Sequence, residues 1–233
     1  MRWALFVAAS VYISTLAIAA QQQQEAAPSK APTARFDMEV RADFFAAFTG
    51  DEAAFRRAMA RCEEVLAVNP THAEAMVWHG SGTLNLAGQA FQKGDVKTGL
   101  ELWSKGLAEM NKAVELAPDD VAVRIPRGAT LFEATRQVPD VNQQQALLRV
   151  ALNDYEHTLM LQKATFSGLS DHAKGELLFG LAEGWARAGD KEKAKHYFER
   201  LTADASGSGR TKYARAWLEG TPPASPGRCV GCH

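Results

Sequence analysis

The chain has 233 residues, 46% of them hydrophobic, with 26 Lys and Arg against 27 Asp and Glu. That length supports one sizeable core or a short array of repeats. The near-balanced charge, with no basic run, argues against nucleic acid or an anionic membrane surface as a partner.

The first 20 residues, MRWALFVAASVYISTLAIAA, carry one cation, Arg2, followed by 18 uncharged residues from Trp3 to Ala20. Ala17-Ile18-Ala19 fits the small-x-small pattern of a signal-peptidase site. The segment predicts export by a cleavable signal peptide, placing the chain in the periplasm or outside the cell. An uncleaved N-terminal anchor is the other reading, since 18 uncharged residues are just long enough to span. No further membrane span is expected. Residues 21–35 begin with QQQQEAAPSKAPTA and contain no aromatic residue. Such a stretch cannot bury enough surface to offset its ordering entropy, which predicts a disordered linker.

From 36 to 218 the composition is that of helices, rich in Ala, Leu, Glu, Lys, Arg and Gln. Apolar residues recur at spacings of three and four, as in Leu177, Leu178, Leu181, Ala182 and Trp185, and in Ala194, Tyr197, Phe198 and Leu201. Breaks recur as well. Gly50-Asp51, Gly94-Asp95, Pro139-Asp140 and Gly189-Asp190 put aspartates 44, 45 and 50 residues apart. Between them fall Asn69-Pro70, Pro118-Asp119-Asp120 and Ser167-Gly168. Glycine ends helices and Asp or Asn starts them, so the two interleaved sets predict four helical hairpins over 36–68, 72–117, 120–166 and 171–204. A short helix near 209–219 caps the array. The fold class is all-α, a helical-hairpin repeat solenoid.

In LLFGLAEGWARAGDKEKAKHYFERL, the residues Leu178, Leu181, Ala182, Trp185, Gly189, Ala194 and Phe198 stand at the spacing of the tetratricopeptide repeat. CEEVLAVNP and MNKAVELAPDD resemble the end of that repeat's second helix, and Gly80 and Gly128 sit where its first helix has a small residue. The resemblance covers most of 36–204, although the family period is 34 residues and only the last hairpin keeps it. It implies a scaffold that takes a peptide or a protein redox partner on a concave face, and it implies no catalytic residue.

Residues 219–233 form an arm. Its stretch GTPPASPGR, 220–228, has three prolines and two glycines, which preclude a helix. The arm carries Cys229, Val230, Gly231, Cys232 and His233. C-x-x-C-H is the attachment pattern of a c-type haem. Two thiols at this spacing reach both vinyl groups of the porphyrin, and the adjacent imidazole reaches the iron. Cys229 and Cys232 are therefore the expected covalent anchors of one haem c, and His233 its proximal iron ligand. Over these five residues the chain resembles c-type cytochromes, which also implies electron transfer. Export and haem attachment agree in compartment. Three other readings compete for these residues. They could form a disulfide, a thioredoxin-type redox pair, or three of four zinc ligands.

The sixth iron ligand is left open. Candidate imidazoles are His72, His79, His157, His172 and His196, and candidate thioethers are Met76, Met110 and Met160. His157, with Met160 one turn on, is taken first. Cys62, within FRRAMARCEEVLAVNP, reads as a small buried residue. The sequence thus predicts an exported monohaem electron carrier on a helical scaffold, with no enzymatic activity. The arm could fold back on the array, insert into a second copy to give a homo-oligomer, or present its haem to a partner. The alternative is a periplasmic interaction adaptor whose terminal cysteines carry no haem.

Overall fold

A computed structural model describes residues 35–222. The signal segment, most of the linker and the C-x-x-C-H motif lie outside the described residues. Within them are α1 (Asp37–Phe48), α2 (Glu52–Val68), α3 (Ala73–Gln92), α4 (Val96–Leu116), α5 (Val121–Ala134), α6 (Val141–Leu161), α7 (Asp171–Arg187), α8 (Lys191–Asp204) and α9 (Thr211–Leu218). A single 3-10 turn, Phe166–Gly168, precedes α7, and there is no strand among the described residues.

The aspartates act as the sequence requires. Asp51, Asp95, Asp140 and Asp190 cap α2, α4, α6 and α8, accepting from the backbone N–H of Ala54, Thr98, Gln143 and Lys193 at 2.8–3.1 Å. Each offsets one of the amides that a helix start leaves unpaired. Of the hairpins' first helices, α3, α5 and α7 are capped by His72, Asp120 and Ser170 at 2.8–3.2 Å, and α1 has no side-chain cap. The first, second and fourth hairpins keep their expected boundaries to within a residue and the terminal helix, Thr211–Leu218, to within two, whereas the third, expected to reach 166, ends its second helix at Leu161.

Successive helices pair as α1/α2, α3/α4, α5/α6 and α7/α8, and each hairpin packs on the next, so contacts stay between neighbours. The architecture is an all-α helical-hairpin array, with α9 as an extra first helix against α8. The last hairpin, 171–204, spans 34 residues with helices of 17 and 14 residues. The longer spacing upstream comes from longer helices: α3 has 20 residues, and α4 and α6 have 21 each.

The core is a spine through the hairpins. Phe44, Val77, Met110, Leu131, Leu148, Leu152 and Leu181 are at most 1% exposed. Leu178, Phe198, Leu201 and Ala214 continue it to the last helices. Each such large side chain contributes about 1.5–3 kcal/mol through burial. Aromatic pairs mark both ends: Phe44 stacks on Trp78 at 5.1 Å, and Phe198 lies 4.6 Å from Trp217. The small residues do what the sequence assigns them. A Cβ on Gly80 would stand 2.9 Å from the Gly106 carbonyl, and one on Gly106 would stand 2.8 Å from the Gly80 carbonyl. The two backbones of the second hairpin touch there, and only glycine permits it. Ala182 and Ala194 are fully buried in the last hairpin.

Candidate functional site

Cys229, Cys232 and His233 lie outside the described residues, and the groups that would serve them are those of the array. It sorts the candidate iron ligands by availability. His79 is 7% exposed, and its Nδ1 lies 2.7 Å from Glu109 Oε2 across the second hairpin. His72 spends Nδ1 on the Ala75 amide at 3.2 Å, as the cap of α3. Met110 is sealed in the core, with Ser81 Oγ 3.5 Å from its sulfur. Ligation by any of these would undo a packed contact. Met76 is half-buried against the core.

His157 sits on α6 with its ring a quarter exposed and Nε2 2.8 Å from Asp119 Oδ1. That nitrogen already has a carboxylate partner, which leaves Nδ1 as its nitrogen for any further bond. Met160 is 57% exposed on the same helix. His172, in the first turn of α7, and His196, edge-on to Tyr197 at 5.1 Å, are exposed. Cys62 is fully buried, and burial first, then the charge of Glu63, pushes its thiol up to about 12. It is inert as a ligand or nucleophile. Among the described residues no three His, Cys, Asp or Glu side chains are grouped to hold a metal.

The array does form a groove. Val121 and Ile125 of α5, Tyr155 of α6 and Leu177 of α7 make its apolar lining, with Arg35 and Glu176 among its charged residues. It encloses about 140 Å³. Sites for small molecules usually hold roughly 300–1,000 Å³, so this groove fits one or two side chains of a polypeptide rather than a cofactor. Its charged groups are already committed locally. Arg35 pairs with Asp37 at 2.8 Å, and Glu176 accepts from Arg210 at 2.9 Å.

Two buried ionic networks fix the hairpins that carry the groove. Arg127 donates to Asp154 through Nε and Nη2, both at 2.7 Å, and Arg124 Nη1 donates to the same carboxylate at 2.8 Å. Arg127 also reaches Asn111 of α4 at 3.1 Å, and Arg124 Nε donates to the Pro118 carbonyl. The carboxylate thus joins α6 to α5, and Arg127 ties α4 to them through Asn111. The second network links neighbouring hairpins: Arg136 grips Glu183 at 2.8 and 2.9 Å, while Arg187 bonds Thr135 and covers the Phe132 ring at 4.9 Å. Burial raises the Glu183 carboxyl pKa despite that arginine. Neither network contains a nucleophile, and both position helices. Sequence reasoning had not singled out these residues. The available signal was the Arg124/Arg127 pair, three positions apart on an otherwise apolar helix start.

No family model and no curated protein matches the chain. Among solved structures it is similar to the human IFIT1 dimer with PPP-AAAA, at 14% identity and a TM-score of 0.34, covering 78% of this chain and 59% of that one. The chain thus spans less than two thirds of that protein's length. The hairpin architecture stands on the helices and contacts described above, without that likeness.

Proposed function

We propose that the chain is an exported monohaem c-type electron carrier whose helical array is a scaffold for a protein redox partner. One observation carries this reading: Cys229, Cys232 and His233 in the C-x-x-C-H order. Two thiols and an imidazole at that spacing suit haem c as a donor set. The array supports it indirectly. The one other cysteine, Cys62, is fully buried with its thiol pushed up to about 12, so it does not compete for haem or for either terminal thiol. When attached, the haem would supply one-electron redox chemistry. Cys229 and Cys232 would hold the macrocycle, and His233 would be the proximal ligand to its iron.

The remaining residues have binding and positioning roles. The Asp154 and Glu183 networks set the pitch of α5, α6 and α7. The groove between those helices offers a partner side-chain-sized apolar sites flanked by charge. The test is an absorption spectrum of the protein expressed with its signal segment in a host that matures c-type cytochromes. A Soret band and a sharp reduced α band are expected. An exported, folded and colourless protein would sink this reading and leave the array as an interaction adaptor.

A further inference from the structure

α4 runs on past the end of α5, the next helix it meets. Gly106 of α4 touches Gly80 of α3, and the following residue of α3, Ser81, accepts from Thr130 of α5 at 2.9 Å. From that level α5 continues to Ala134, whereas α4 reaches back to Val96. At ~1.5 Å per residue the start of α4 stands about 8 Å beyond the end of α5. Asn111 accepts from Arg127 of α5 at 3.1 Å and so marks the side of α4 that is turned to that helix. Val114, Leu107, Trp103, Leu100 and Val96 follow one another along that side at helical spacings of seven, four, three and four.

Burial along this stripe fades where α5 stops. Val114 is 8% exposed, Leu107 and Trp103 are half-buried, and Leu100 and Val96 are 56% and 57% exposed. Phe91 lies over Gly99, where a Cβ would stand 2.4 Å from its ring, and widens the bare end on one flank. The bare end has the composition and spacing of a helix-packing seam. On its other flank Lys97 and Glu101 stand one turn apart. Both are exposed, and neither has an ion-pair partner among the described residues.

We propose that the bare half of α4 pairs with the same half of a second copy of the chain, antiparallel, about a two-fold axis between Gly99 and Leu100. The charge pattern selects this occupant. Antiparallel pairing about the midpoint of Val96–Trp103 sets Val96 level with the partner's Trp103 at both ends. It also brings Lys97 within one residue of the level of the partner's Glu101, twice. A parallel pair would set like charge on like, and a foreign helix of one charge would leave either Lys97 or Glu101 facing its like. The contact covers about two turns of helix per copy, less than the ~800 Å² per partner of a standard interface. The dimer is therefore weak and reversible, with a Kd on the order of 10–100 μM. It needs no haem and stands apart from the proposed function.

The test is sedimentation equilibrium of the Cys229→Ala, Cys232→Ala protein, which carries neither haem nor terminal thiols, over a concentration range that brackets that Kd. The mean mass is expected to rise from that of a monomer toward twice that value. Leu100→Glu, at an exposed position, is expected to abolish the rise while circular dichroism shows unchanged helix content. Lys97→Glu and Glu101→Lys should each weaken association about tenfold, because like charges then meet across the pair. Mixing these two single variants should restore it, because each then offers the charge the other lacks. A protein that stays monomeric at every concentration would overturn the proposal. So would a dimer that survives Leu100→Glu, or a mixture of the single variants that associates no better than either alone. A wild-type protein without haem would refute the proposed function and leave this result standing.

Discussion

Asp154→Asn is the sharpest perturbation of the array. The Asp154 carboxylate is fully buried and accepts three charged hydrogen bonds at 2.7–2.8 Å, from Arg124 and Arg127. Those arginines are themselves 7% and 8% exposed. The substitution keeps the side-chain shape, removes the only carboxylate in the cluster, and leaves two guanidinium groups in the interior with no countercharge. Breaking a buried ion pair from one side costs about 3–5 kcal/mol, several times the worth of a neutral hydrogen bond. For a domain of this size, where about 1 kcal/mol shifts Tm by roughly 2–4 °C, the midpoint should fall by roughly 6–20 °C. Thermal and urea melts followed by circular dichroism measure it. Hydrogen exchange should locate the loss in α5 and α6, because an array need not unfold as one unit. As a control, Lys112 and Glu115 pair at 3.1 Å but are 56% and 66% exposed, and Lys112→Ala should leave the melt unchanged. A drop of under about 1 kcal/mol for Asp154→Asn would refute the claim that this carboxylate holds the third hairpin together.

Two glycines on the second hairpin should respond oppositely to alanine. Gly106→Ala puts a Cβ 2.8 Å from the Gly80 carbonyl and should destabilise by about 1–3 kcal/mol in urea melts. Gly88→Ala meets only Gln137 at 3.9 Å and should stabilise by roughly 0.5–1 kcal/mol through helix propensity. In the Cys229→Ala, Cys232→Ala background, Cys62, with its thiol near 12, should react with iodoacetamide at pH 8 about a thousandfold slower than an exposed thiol, with full reactivity appearing only in denaturant. Burial raises the Glu74 carboxyl above its usual range, although it accepts the Asp37 amide at 3.2 Å. With the folded pKa above the unfolded one, the native state holds the extra proton, so this group favours folding below the unfolded pKa and loses that advantage as pH rises through the folded value. Glu74→Gln should therefore gain on wild type at pH 7 and lose the gain as pH falls through the carboxylate range, which paired melts at pH 7 and pH 4 would show.

The fold was legible because its punctuation is local. Asp51, Asp95, Asp140 and Asp190 cap helices through amides three residues away, and the glycines before three of them take the dihedrals that end one. Such signals need no knowledge of the rest of the chain. The end of α6 was less legible: no break falls between Leu161 and Ser167-Gly168, so the apolar spacing reads on to 166 although the helix stops at Leu161. Arg124, Arg127 and Asp154 were not singled out, because their pairing spans 27 to 30 residues and depends on how α5 meets α6. The groove combines Arg35, before the first helix, with Leu177, on the seventh, which no local pattern connects. His157 was picked for its neighbour Met160, and what the sequence could not reveal was Asp119 across the hairpin, bonded to the ring. The C-x-x-C-H motif is the reverse case: its chemistry is explicit in five residues, which lie outside the described residues.

The central claim is covalent haem on Cys229 and Cys232, and a haem stain of a denaturing gel tests it most directly. Wild type and the Cys229→Ala, Cys232→Ala variant would be expressed with the signal segment in a host that matures c-type cytochromes. Stain that survives denaturation in wild type and is absent from the variant is the predicted result. An exported, intact wild-type band without stain would contradict the account.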